Sequence, residues 1–267
     1  AEVFPREVEA STLTTFTFAM RSTIRSAGKL GYDIVEVSTP SKVASIDRIE
    51  LTNASGGVLA ERTFSGLEDT DMVDGFQILT VDADRFRLAV PLVEEDGVLL
   101  IVQFQTGVLT YSTNFRATVE HSTVPGASQP AISGNAATLS VDDIDDFSGT
   151  TVLSPPLIGG HLLDLVDVVP NPFTPNGDGI NDEAAVQYTL LSVSADRRVN
   201  IDIYDLSGRR VRSLHNGLES NGRFEDKLWD GRSDGGMLVP PGIYIARLAV
   251  DGDAIQEEKS IVVGVVY

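Results

Sequence analysis

Val169-Pro170-Asn171-Pro172-Phe173-Thr174-Pro175-Asn176-Gly177-Asp178-Gly179-Ile180-Asn181-Asp182 holds three prolines, two glycines and the side-chain oxygens of Asn176, Asp178, Asn181 and Asp182. Proline fixes φ and glycine supplies φ > 0, so this run is neither helix nor regular strand. It reads as a structured loop at the entrance of a second domain. The oxygens recur at i, i+2, i+5 and i+6, and backbone carbonyls, that of Ile180 among them, add to the set. Ca²⁺ takes six to eight such oxygens in flexible geometry. The candidate metal ligands are therefore Asn176, Asp178, Ile180, Asn181 and Asp182, with Asp205 and Asp230 as further candidates for the fold to bring in. The plainer reading is a polar turn whose Asn and Asp side chains cap their own backbone. It is not an EF-hand, because the twelve-residue spacing and terminal bidentate Glu are missing.

Outward from the loop, both halves of the chain alternate with a period of two. After it, Val199, Ile201 and Ile203 alternate with Asn200, Asp202 and Tyr204 as far as the turn Asp205-Leu206-Ser207-Gly208. Arg210–Leu214, Arg223–Trp229, Ile243–Val250 and Glu257–Tyr267 are further strand runs. With Leu163–Val169 and Val186–Leu190 they make about seven strands, the count of an immunoglobulin-like domain. Before it, Phe16/Phe18/Met20, Val35/Val37, Ile49/Leu51, Phe86/Leu88/Val90 and Val98/Leu100/Val102/Phe104 each mark one buried face of a strand. Asn53–Gly57, Asp74-Gly75 and Asp96-Gly97 are turn signals between them. Thr23–Leu30 reads as a short helix or turn, Ala136–Val141 as a last strand, and Asp142–Gly160 as a proline-stiffened connection. The predicted fold class is all-β: two tandem β-sandwich, immunoglobulin-like domains, at 1–155 and 156–267.

Composition narrows the function. A net charge of −19 over 267 residues excludes nucleic-acid and anionic-membrane binding, both of which need cationic surface. The absence of cysteine excludes disulfides, thiol catalysis and Cys-ligated zinc. No apolar run reaches the roughly 18 residues of a transmembrane helix, so no membrane insertion is expected. Ala1-Glu2-Val3 fits the residues left after signal-peptide removal. His121, His161 and His215 stand in no triad or metal spacing, and no catalytic motif is present, so the expectation is a non-enzymatic protein.

Pro170-Asn171-Pro172-Phe173, Val199–Arg209, Trp229-Asp230-Gly231 and Pro241-Gly242-Ile243-Tyr244 together resemble the immunoglobulin-like domain of flagellar hook-capping proteins. They are also similar to the C-terminal domains of gliding-motility and type IX secretion cargo proteins, in which the loop Pro175–Asp182 recurs. The resemblance covers about 166–267 and implies fold and a secreted or cell-surface bacterial location, not activity. It also favours Ca²⁺ in the loop. Type IX sorting domains usually finish on a short basic tail. The run Val262-Val263-Gly264-Val265-Val266-Tyr267 points instead to a permanent structural module. The first domain resembles, more loosely, the sandwich modules that precede such domains on bacterial surface proteins.

The resulting expectation is a calcium-stiffened, self-assembling subunit of a bacterial surface filament, sheath or layer, a homo-oligomer or homopolymer. Arg197, Arg198, Arg209, Arg210 and Arg212 form a basic patch that would meet an acidic surface of the next copy. The acidic loops at Glu68–Asp74 and Asp142–Asp146 are solvated charge runs or further cation sites. Trp229 is expected in the core. The alternative is an adhesin, a module exported by type IX secretion that binds cell-surface glycan, for which Tyr111 and Phe115 are the aromatic candidates. A hydrolase with a carboxylate pair ranks last.

Overall fold

The computed structural model describes residues 1–24, 30–137, 149–157, 161–193, 195–251 and 256–267. Most of Thr23–Leu30, Ala136–Val141 and Asp142–Asp146 lies outside them. The chain divides into two compact units, Ala1–Pro156 and Leu157–Tyr267. Among the described residues, no helix is long and apolar enough to cross a membrane.

The first unit contains β1 (Glu2–Phe4), β2 (Leu13–Arg21), β3 (Tyr32–Ser38), β4 (Ser45–Thr52), β5 (Val58–Thr63), β6 (Gln77–Val81), β7 (Arg85–Val93), β8 (Leu99–Gly107), β9 (Ser112–Asn114), β10 (Arg116–Glu120), β11 (Gln129–Pro130) and β12 (Thr151–Leu153). One sheet has the order β1-β2-β8-β4-β5 and the other β11-β10-β3-β7-β6, with every pairing antiparallel. Phe16, Phe18, Ile49, Val102 and Phe104 from one sheet meet Val35, Val37, Phe86 and Leu88 from the other in a single buried core. These are the side chains that the alternation assigned to the inner face. Gln103 and Gln105 turn outward on β8.

The connection expected at Asp142–Gly160 is shorter than the sequence suggested. Thr151–Leu153 pairs with β9, Leu153 bridges Glu7, and Val152 is fully buried. Val152 has apolar surface to bury and β9 has a free edge beside it, so this piece folds onto the first unit.

The second unit contains β13 (Leu163–Val169), β14 (Ala184–Leu190), β15 (Arg197–Asp205), β16 (Arg210–Glu219), β17 (Gly222–Trp229), β18 (Gly242–Asp251) and β19 (Gln256–Val265). Sheets β13-β14-β17 and β16-β15-β18-β19 close over Val186, Tyr188, Val199, Ile201, Ile203, Leu248 and Val263. Seven antiparallel strands in two layers make this the immunoglobulin-like sandwich expected from the sequence.

Candidate functional site

The β13–β14 connection enters the core before it turns outward. Phe173 is fully buried, with its ring 5.2 Å from that of Trp229. Trp229 in turn lies 5.4 Å from Tyr244, and its Nε1 donates to Arg232 O at 3.0 Å. The backbone around Phe173 behaves as an extra strand. Phe173 N–H donates to Gly264 O, and Val266 N–H donates to Phe173 O, both at 3.0 Å. Asn171 completes the clamp: Nδ2 donates to Val262 O at 2.7 Å, and Oδ1 accepts from Gly264 N–H at 2.9 Å. This covers the end of edge strand β19 with side-chain and backbone partners.

The other motifs also do structural chemistry. Gly231 has φ +70°, and a Cβ there would stand 2.6 Å from Pro175 Cγ, so only glycine lets these two loops meet. Asp205 Oδ1 accepts from Ser207 N–H, Ser207 Oγ–H and Arg209 N–H, which holds the β15–β16 turn. The Ser207 hydroxyl foremost, then the Arg209 and Ser207 amides, holds this carboxyl below its usual range. Tyr244 O–H donates to Pro240 O at 2.7 Å, four residues upstream, a tyrosine-corner arrangement.

The outer part of the loop is exposed. Asn176 Oδ1 accepts from Asp178 N–H at 2.9 Å, and Asp178 Oδ1 accepts from Ile180 N–H at 2.8 Å. Asp182 takes Gly177 N–H on Oδ1 at 2.6 Å and Gly179 N–H on Oδ2 at 2.7 Å. The carbonyls of Ile180 and Asn181 both accept from Thr174. Asn181 has φ +54°, and its side chain is joined to none of these bonds. The structure therefore gathers Asn176, Asp178 and Asp182 around the loop's own amides. Among the described residues, Asp178, Asp182 and Glu183 make no ion pair, and no group of three or more His, Cys, Asp or Glu side chains is placed to hold a metal. Asp205 and Asp230 cap their own turns.

Three expectations change on contact with the structure. Phe115 is not a surface aromatic; it is fully buried, 5.0 Å from the Phe16 ring and 6.0 Å from Phe104. Tyr111 is 44% exposed and remains outside. The basic patch is matched in part within its own unit. Arg209 pairs with Asp205, Arg210 lies 3.8 Å from Asp202 and 3.9 Å from Asp234, and Arg198 donates to Asn216. In the acidic loop 68–74, Asp69 pairs with buried Arg62 rather than standing free in solvent.

One cluster was not signalled by the sequence. Glu219, 8% exposed, receives Tyr188 O–H, and its Oε1 lies 3.0 Å from both Lys227 Nζ and His215 Nε2. Burial, then the bond to Glu219, pushes the Tyr188 phenol up. Burial pulls Lys227 down, but its bonds to Asp226 and Glu219 outweigh this, and the net direction is up. The four residues come from β14, β16 and β17, too far apart in sequence to form a pattern. They tie the two sheets together along one side.

Residues 168–264 match the CHU_C type IX secretion signal domain. No curated protein matches the chain. Among solved structures, dimeric latent PorU from Porphyromonas gingivalis is 18% identical at a TM-score of 0.34, over 97% of this chain and 18% of that one. PorZ, a surface component of the type IX system of the same organism, is 18% identical at 0.26, over 57% and 15%. The group B streptococcus pilus 2b backbone protein is 11% identical at 0.31, over 97% and 88%. The chain thus spans less than a fifth of the PorU and PorZ chains. Of the families whose motifs this sequence shares, the match is to the type IX one: the second unit, with the buried Phe173–Trp229–Tyr244 stack at its centre, matches the type IX secretion signal domain, and that match indicates a secreted or cell-surface bacterial protein.

Proposed function

We propose that the chain is a non-enzymatic structural protein of the bacterial surface, which assembles with copies of itself by strand addition. The observation that carries this reading is the open edge of β5. The other edges of the first unit are blunted. Val3 N–H on β1 is taken by Gly149 O, β11 is two residues long and ends in Pro130, and β6 is bulged between Ile78 and Thr80. In the second unit β13 is bulged between Asp164 and Asp167, and β19 is clamped by Asn171. β5 is six residues long, with a register shift at Leu59 and regular pairing from Ala60 to Thr63, and it exposes Val58 and Leu59. Such an edge is a template for another strand.

Phe64 N–H donates to Asp47 O. By antiparallel alternation, Thr63 and Glu61 then turn their N–H groups to the free side. Thr63→Pro removes one of those donors and leaves the β4–β5 ladder intact. Sedimentation and electron microscopy of the purified chain should show concentration-dependent polymers that Thr63→Pro abolishes. A monodisperse monomer at every concentration sinks the reading.

Calcium stiffening of the 176–182 loop belongs to the same proposal. The donor set is all oxygen, two of its members are carboxylates without a cationic partner, and each carboxylate has spare lone pairs beyond the amides it holds. Asp178, Asp182, the Asn176 amide oxygen and the Ile180 carbonyl would hold the ion. A ligand that binds only the folded state must stabilise it. Ca²⁺ should raise the melting temperature and chelator reverse it, and Asp178→Asn/Asp182→Asn should remove the response. A melting temperature indifferent to both would leave the loop as a self-capped turn.

A further inference from the structure

A second feature of the first unit follows β5 in the chain. Val73-Asp74-Gly75-Phe76 is a tight hairpin tip: Val73 N–H donates to Phe76 O at 3.0 Å, and Phe76 N–H donates to Val73 O at 2.9 Å. Asp74 and Gly75 have φ +51° and +84°, the two-residue turn with both central residues left-handed. Buried Arg62 pins it from below, donating to Asp71 O and to Phe76 O at 2.6 Å, and Gln77 Nε2 donates to Thr70 O at 2.8 Å. The tip rests on β7, where a Cβ at Gly75 would stand 3.0 Å from Pro91 Cγ. This rigid backbone holds Met72 and Val73 in solvent at 56% and 45% exposure, and Leu92, next to Pro91, is 49% exposed.

The carboxylates beside these side chains stand without counter-charge among the described residues. Several carboxylates on the strands are matched, Glu36 and Glu120 by Arg87, Glu50 and Glu61 by Arg48, and in the loop itself Asp69 is matched by Arg62. Asp71, Asp74, Glu94 and Glu95 are all exposed, and among the described residues none has a cationic partner. A pre-organised apolar tip flanked by unmatched negative charge is complementary to an apolar side chain flanked by positive charge. With a net charge of −19, another copy of this chain is a poor supplier of that charge.

We propose that Met72, Val73 and Leu92 form a docking face for a segment of a different protein that presents an apolar side chain between lysines or arginines. Pre-organisation of the tip lowers the entropy cost of docking. The test uses the full chain, isotopically labelled, titrated with a synthetic peptide of alternating Lys and Leu and with an oligolysine of equal charge. The Lys–Leu peptide should bind about tenfold more tightly at low salt, with shifted resonances confined to 70–76 and 91–96. Met72→Ser/Val73→Ser/Leu92→Ser should reduce it to the oligolysine affinity without changing the melting temperature. Asp71→Asn/Asp74→Asn/Glu94→Gln/Glu95→Gln should abolish both. Equal affinity for the two peptides, shifts spread over other surfaces, or a triple variant that binds as well as the wild type would each overturn the proposal.

Discussion

The two units close their cores by different means. In the first, the aromatic centre is Phe16, Phe86, Phe104 and Phe115, three of them on strands, and the rings sit 5.0–6.1 Å apart. In the second, Phe173 arrives on a loop and meets Trp229, the last residue of β17, whose indole in turn meets Tyr244 near the start of β18. A core filled from strands needs only alternation, which many sequences satisfy. A core completed by a loop needs particular residues: Asn171 to imitate a strand, Pro172 and Pro175 to fix the path, and Gly231 to admit Pro175. This is why the second unit carries motifs and the first carries a pattern.

Truncating a central ring gives the largest effects. Phe173→Ala and Phe104→Ala should each cost about 3–5 kcal/mol, the range for deleting a fully buried aromatic. Hydrogen exchange should localise the loss to β18 and β19 for Phe173→Ala and to β2, β4 and β8 for Phe104→Ala. If Phe173→Ala leaves β19 as protected as before, the loop is an ornament on a core that closes without it, and the comparison fails.

Gly231→Ala comes next and isolates the loop contact. It combines left-handed backbone strain, about 1–2 kcal/mol for an L-residue, with a steric overlap on Pro175 of about 1–3 kcal/mol. Gly236→Ala is its control: φ is +74°, but nothing lies within 4 Å of the added Cβ. It should show the strain alone. Equal losses in chemical denaturation would mean that the Pro175 contact yields freely and does not position the loop.

The same difference explains what the sequence disclosed. Strand positions were legible in both units because burial of one face imposes a period of two, so Val199/Ile201/Ile203 and Phe16/Phe18/Met20 could be placed inside. The loop at 170–182 was legible as a loop, since proline and glycine leave no regular alternative. That Phe173 would turn back into the core, and that Asp178 and Asp182 would hold the loop's own amides, depends on close approach between segments distant in sequence. The Glu219 cluster and the fate of Phe115 were hidden for that reason too. Phe115 follows a three-residue strand, too short for alternation to assign its face.

The smallest effect has the sharpest sign. Desolvation chiefly pushes up the phenols of buried Tyr32 in the first unit and of Tyr188 and Tyr244 in the second, the larger shifts being those of Tyr32 and Tyr188. A folded-state pKa above the unfolded value near 10 gives stability that is whole below about pH 10 and lost as pH rises further. Lys227, also shifted up, adds to the loss in the second unit. Replacing Tyr32 or Tyr188 with phenylalanine should flatten its unit's alkaline decline. At neutral pH the two variants should part company. Tyr188 donates to Glu219, so Tyr188→Phe leaves a buried carboxylate oxygen short of a donor and should cost about 1–3 kcal/mol. The Tyr32 hydroxyl is buried with no hydrogen-bond partner among the described residues, so Tyr32→Phe should be neutral or stabilise by up to about 1 kcal/mol. Urea titrations at pH 7 and pH 10.5 separate the two effects. A destabilising Tyr32→Phe would mean that its hydroxyl has found a partner, and that the first unit's core is less purely apolar than its alternation implies.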